Sequence, residues 1–231
     1  MAEHRIFPHG PIEELAPGAW MVRGNLPMPI TRNMVVARLG NGDLFVHSAV
    51  ALNDAGLGAL ERLGRPMWFV VPNLGHQMDA PFYQQRYPQS QVLAPAAITE
   101  TVAAKVKVAG SVEEHLPKLG VRLHQVPGLK LVEYVYEIDL SGSGRMLVVN
   151  DSLGNGKIGA GGFMGNLMNL AGAPAGKVDV PRIFRMAYTA DLAAVRGFFA
   201  QLGELPDLRL LTVSHGDPVR TDVAGRLRAL A

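Results

Sequence analysis

The chain has 231 residues, a formal charge of +2, and 48% hydrophobic against 18% charged residues. That length and balance support one substantial core, so a single domain over 1–231 is expected and disorder as the main state is excluded. The basic residues are scattered, which leaves no electrostatic stripe for nucleic acid, and with no cysteine there are no disulfides, thiolate ligands or cysteine nucleophile.

No apolar run reaches the roughly 18 to 20 residues that span a bilayer, and the opening MAEHRIFPHG has no signal-like apolar core. The expectation is a cytoplasmic protein without a membrane span.

Residues 1–17 hold two histidines, three prolines and Gly10, show no periodicity, and read as an irregular lead-in. Runs 19–24, 33–39 and 44–47 read as short strands, the last two joined by GNGD, a strong hairpin signal. Asn53 and Asp54 cap a helix carrying Leu57, Leu60 and Leu63, and Gly64 ends it. Residues 67–71, MWFVV, have the length and composition of a buried strand, stopped by Pro72 and Asn73. The loop that follows carries His76 and Asp79, and such strand-end loops are where α/β folds keep their chemistry. Asp79 precedes Ala80 and Pro81, the pattern of an N-cap for a helix running to about Tyr87.

A strand near 91–93 and a helix from about Pro95 to Val108 come next, then strands at 121–126, 132–138 and 145–149, the last two joined by SGSG. Residues 152–180, with six glycines between Gly154 and Gly165 and an apolar run after them, read as a long loop without a packed element of its own. Its Phe163, Met164, Leu167 and Met168 suit a lid or a partner surface. Thr189 and Asp191 start a helix that Gly203 ends, Leu208 to Val213 is a strand ending in the loop SHGDP, and Val223, Leu227 and Leu230 are spaced for a closing helix.

Two late strand-end loops, VVNDSLG at 148–154 and TVSHGDP at 212–218, resemble the later metal-ligand loops of the metallo-β-lactamase fold. The resemblance covers nearly the whole order of elements and implies an α/β (α+β) fold, an αββα sandwich with its site on the edge where strand-end loops converge. The family's HxHxDH motif falls on PNLGHQMDAP, where no register matches more than one ligand, and its next histidine position, after Pro127 and Gly128, holds Leu129. The pattern is that of a degenerate branch of the superfamily, with Asn73 and His76 where the motif would begin.

What the resemblance leaves is a candidate metal triad of His76, Asp151 and His215, with Asn73 lining the pocket. Two imidazoles and one carboxylate suit a single zinc, iron or manganese ion with an open position for water. Either no cofactor or one such ion is expected, and the implied activity is hydrolysis of a small ester, amide or lactone, with Asp79 or Asp151 accepting the proton. Each residue also has a plainer reading: Asp79 as a helix cap, His76 bonded to loop backbone, Asp151 bracing its own turn, and His215 as a satisfied relic. His47 reads as a hydrogen-bonded structural residue, and His4, His9, His115 and His124 have no companions at ligand spacing. The GAGGFMG segment lacks the context of a nucleotide loop, and no GxSxG elbow is present.

The alternative function is a non-catalytic module that binds a ligand, or a protein partner or second copy through 152–180. Convergence of the pocket residues in space favours the hydrolase, and dispersal favours the binding module.

Overall fold

The structure is a computed structural model and describes residues 4–174 and 176–231. Its first sheet has seven strands in sequence order. β1 (Glu13–Ala16), β2 (Ala19–Asn25), β3 (Thr31–Arg38) and β4 (Asp43–His47) form an antiparallel meander. After α1 (Asp54–Leu63) the chain enters β5 (Arg65–Val70), parallel to β4. α2 (Ala80–Arg86), β6 (Gln91–Ala94), α3 (Thr99–Ala103) and β7 (Val108–Ser111) extend the parallel half.

α4 (Val112–His115) leads to the second sheet, built from β8 (Arg122–Gln125), β9 (Tyr134–Asp139) and β10 (Arg145–Val149). β11 (Gly154–Asn155), α5 (Gly162–Met168), β12 (Val178–Asp179), α6 (Arg182–Tyr188) and α7 (Leu192–Leu202) follow. β13 (Leu208–Val213) then joins β10 in parallel, giving the order β13-β10-β9-β8, and α8 (Val223–Arg228) closes the chain.

Alternate residues of the central strands enter different cores, which is why these strands read as nearly continuous apolar runs. Val35, Ala37, Phe45, Val70 and Leu93 point from the first sheet into a core shared with Tyr136, Ile138, Met146, Val148 and Leu210 of the second. Met34, Val36, Val46 and Phe69 face the other way, toward Leu57 and Leu60 of α1 and Tyr83 of α2. Leu147, Val149, Leu211 and Val213 pack on Val195 and Phe199 of α7 and Val223 and Leu227 of α8. Helices, sheet, sheet and helices make the four αββα layers.

The sequence reading needs correction at four places. The lead-in contains β1, and His9 ties it to α1 by accepting a hydrogen bond from the Asn53 N–H at 3.0 Å. The helix expected over 95–108 is only a short 3-10 turn and α3, because the open edge of β6 pairs with Val108–Ser111 as β7. Residues 152–180 are packed rather than bare loop: β11 pairs with β12, and Leu153, Ile158, Val178 and Val180 are buried. Asp79 stands at the N-cap position of α2, yet its side chain makes no cap bond, since both carboxylate oxygens are engaged elsewhere.

Candidate metal centre

Parallel pairing puts the carboxyl ends of β4 and β5 on one edge of the first sheet, and those of β10 and β13 on one edge of the second. Backbone and side-chain bonds hold the two edges together. Asn33 of β3 donates through its backbone N–H to the Ser214 carbonyl at 2.8 Å, and through Nδ2 to the carbonyls of Val213 at 2.8 Å and Gly216 at 2.7 Å. The loops after β5, β10 and β13 therefore meet, and they bring His76, Asp151 and His215 together. One ligand atom from each lies within 4.8 Å of the others.

Each side chain is aimed by a neighbour. The Nδ1 atom of His215 lies 2.6 Å from the Thr31 carbonyl, which only accepts, so Nδ1 carries the proton and Nε2 presents its lone pair. His76 Nδ1 sits 2.6 Å from the Ser48 hydroxyl, which turns its Nε2 the same way. Asn73 accepts from the Gly75 N–H at 2.8 Å through Oδ1, so its amide nitrogen faces Asp151 Oδ2, 2.7 Å away. Behind Asp151, the buried Glu133 carboxylate accepts the N–H groups of Asp151 and Ser152 and the Ser152 hydroxyl.

What remains is a converging set of unfilled ligand atoms. His76 Nε2 is 3.3 Å and His215 Nε2 3.4 Å from Asp151 Oδ1, ion-pair distances without hydrogen-bond alignment. Asp151 Oδ1 is buried and has no hydrogen-bond partner among the described residues. A buried carboxylate oxygen left bare between two imidazoles fits a divalent cation, because such atoms are otherwise satisfied. Three protein ligands also leave a position open, as a catalytic site requires.

The electrostatics agree with that geometry. Burial alone would raise the Asp151 pKa, but the His76 and His215 imidazoles hold it well below the usual carboxylate range. Burial lowers the His76 pKa despite Asp151, whereas at His215 the Asp151 carboxylate and the Thr31 carbonyl outweigh burial and raise it. Burial, with the charge of Asp151, pushes Glu133 up to about 7, against the hydrogen bonds from Ser152 and Asp151.

Asp79 lies outside this group. Its Oδ2 accepts from Arg32 Nη2 at 2.6 Å, and its Oδ1 is 2.8 Å from His4 Nε2. Arg32 is 1% exposed and also donates to the Ala49 carbonyl at 2.7 Å. His4, expected to stand alone, thus has a carboxylate partner, as does His124, whose Nε2 is 2.7 Å from Glu137. His47 is also corrected: it is fully buried, stacked on Phe45 and edge-on to Tyr136, and neither ring nitrogen has a partner among the described residues. Burial, reinforced by His76, pushes its pKa down to about 3 and keeps it neutral.

No protein-family model and no curated protein matches the sequence. Solved structures do match. The metallo-β-lactamase of Hirschia baltica superposes with a TM-score of 0.56 at 13% identity, covering 96% of this chain and 98% of that one. The FIM-1 metallo-β-lactamase of Pseudomonas aeruginosa, in its mono-zinc form, gives 0.60 at 12% identity, covering 97% and 95%. The TMB-1 structure gives 0.60 at 12%, covering 95% of each chain.

This chain has the metallo-β-lactamase fold. The fold implied by the two late loops is thus the one found, with Asp151 and His215 on the strand ends where those loops were read. Sequence reasoning missed Thr31, Arg32, Ser48 and Glu133. Ser48 alone sits in an unusual backbone conformation, with φ of 56°, of the kind that clusters at functional sites.

Proposed function

We propose that this protein is a hydrolase of small esters, amides or lactones that depends on one divalent metal ion. His76 Nε2, His215 Nε2 and Asp151 Oδ1 hold the ion. The observation that carries this reading is the buried Asp151 Oδ1, without a hydrogen bond among the described residues and set between two imidazole nitrogens whose opposite ring atoms are already engaged. A divalent ion supplies Lewis acidity at such a site and lowers the pKa of water toward 7. Zinc, iron and manganese all accept this donor set.

The remaining roles belong to the chain itself. Thr31 and Ser48 fix the two imidazoles by their Nδ1 atoms, and Asn73 pins Asp151 Oδ2, so the donors are positioned before any ion arrives. Of the two carboxylates read as proton acceptors, Asp151 is the one that lies at the centre. Asp79, with one oxygen on Arg32 and the other on His4, serves as counter-charge to the buried guanidinium and not as the base. Convergence of the pocket residues favours hydrolysis over the binding-module reading.

The test is metal content by plasma mass spectrometry on untagged protein, beside an Asp151→Ala/His215→Ala variant, followed by a screen of aryl esters and lactones. Near-stoichiometric zinc, iron or manganese is expected in the first and none in the second, with metal-dependent turnover lost alongside. Metal-dependent hydrolysis that survives in the double variant would overturn the assignment.

A further inference from the structure

The lobe between Asp151 and α7 presents apolar side chains to solvent. Phe163 is 84% exposed, Met186 81%, Leu170 61% and Ile183 58%. These belong to one tied unit. Ile183 donates its N–H to the Ala171 carbonyl at 3.0 Å, Arg182 donates its own to Gly172 at 3.3 Å, and the Arg182 Nη1 reaches the Leu170 carbonyl at 3.2 Å. The lobe is anchored from below by Ile158, Ala173, Val178, Val180 and Phe184, all buried, and α5 and α6 each keep an outer side that no element among the described residues covers. Large apolar side chains exposed together on one tied lobe mark a surface with a use.

Charge says what covers it. From residue 152 to residue 190 the chain carries Lys157, Lys177, Arg182 and Arg185, all exposed, and a single acid, Asp179. Asp179 is neutralised within the fold by Arg196, at 2.8 Å. Exposed phenylalanine, methionine, leucine and isoleucine on a lobe whose exposed charges are cations are the composition of a surface that lies in the interface of an anionic membrane. A second copy of the chain fits poorly, because a two-fold contact would set like charges against each other. No helix among the described residues is long and apolar enough to cross a membrane, and peripheral docking needs none.

We infer that the α5–α6 lobe docks this protein reversibly onto anionic lipid bilayers, with Phe163 and Met186 entering the interface and Lys157, Lys177, Arg182 and Arg185 contacting the lipid headgroups. The inference is independent of the proposed hydrolysis, since it uses none of the candidate metal ligands and is read by binding alone.

The experiment is co-sedimentation of the full chain with vesicles of phosphatidylcholine alone and with vesicles containing about 30% phosphatidylserine. Two variants accompany it: Phe163→Ser/Met186→Ser, and Lys177→Glu/Arg185→Glu. Binding to the serine-containing vesicles is expected, weakened by salt and at least tenfold poorer on neutral lipid. Each lost cation should weaken binding about fivefold, so the charge variant falls by at least about 25-fold, and the apolar variant falls while circular dichroism and metal content stay unchanged. Equal binding to both vesicle types, no binding by the wild type, or binding unaltered in the variants would overturn the inference. So would lipid-free self-association in sedimentation velocity that the same variants abolish, which would assign the face to a second copy.

Discussion

Asn73 contributes to the candidate centre by holding a carboxylate. With Oδ1 fixed by the Gly75 N–H, its amide donates to Asp151 Oδ2 and leaves Oδ1 of that carboxylate facing His76 and His215. Replacing Asn73 by Leu removes the donor without touching a ligand. Metal affinity should fall about 10- to 100-fold, the usual cost of losing a residue that orients a ligand. Competition against a chromophoric chelator measures this, and an affinity equal to wild type would show that Asp151 needs no such support. Arg32 makes the complementary case. Buried with Asp79, it is a fixed positive charge, and Arg32→Met leaves that carboxylate nearly without compensation; a loss of about 3–5 kcal/mol in denaturant unfolding is expected. Pairing Arg32→Met with Asp79→Leu should recover much of it, because a well-packed apolar pair is often no worse than a buried ion pair.

Among the elements, the second sheet has its own charge network. Glu137 of β9 is buried and faces Arg122 and His124 of β8 and Arg145 of β10, pairing directly with Arg122 and Leu147 in the strand register. Burial by itself would raise its pKa, but the hydrogen bonds from Arg122 and His124 prevail and hold it below the ordinary carboxylate value of 4.5. A depressed acid pKa means that the unfolded chain takes up the proton first as pH falls. The stabilisation is therefore complete above about pH 4.5 and disappears as pH drops through the folded-state value. Glu137→Gln should cost about 2 kcal/mol at pH 7, and the gap to wild type should close in acid, as urea unfolding across pH 3 to 7 would reveal. A gap constant with pH would mean the loss is one of packing.

The same scale shows which parts of the fold were legible in the sequence. β10 and β13 were readable to their ends because each is a short β-branched and aliphatic run between a turn and a polar loop. Their loops bear Asp151 and His215, so two thirds of the candidate triad came with them. His76 was readable as the histidine at the end of a buried strand. The aiming residues were not, because Thr31 acts through a backbone carbonyl, and Ser48 and Glu133 reach the site from beside the neighbouring strand of the same sheet, 28 residues from His76 and 19 from Ser152 in sequence, with no spacing to betray them. The lobe over 152–180 was read as loose because glycines dominate its first half. Its buried anchors are split, with Ile158 about 20 residues before the pair Val178 and Val180, so no run long enough to show a period appears. Gly216 is a position where glycine is required: φ is 105°, and a Cβ there would lie 2.1 Å from the Asn155 carbonyl oxygen.

Across the whole molecule the candidate centre is a joint between the sheets. His76 leaves the first sheet after β5, while Asp151 and His215 leave the second after β10 and β13, so an ion held by all three would add a further tie between layers already joined by the central core and by bonds from Asn33, Asn73 and Thr31. An unfolded chain has no such convergence, and ligand binding to the folded state alone stabilises by mass action. At a free metal concentration of about 100 times Kd the gain is about 2.7 kcal/mol. For a chain of this length each kcal/mol raises Tm by about 2–4 °C, so metal should raise it by about 5–10 °C and a chelator should reverse the shift. His215→Ala should unfold near the metal-free wild-type temperature and respond to neither addition. A shift retained in that variant would place the bound ion elsewhere in the molecule, whereas a shift confined to the wild type would identify the three strand-end loops as a clasp that the ion closes.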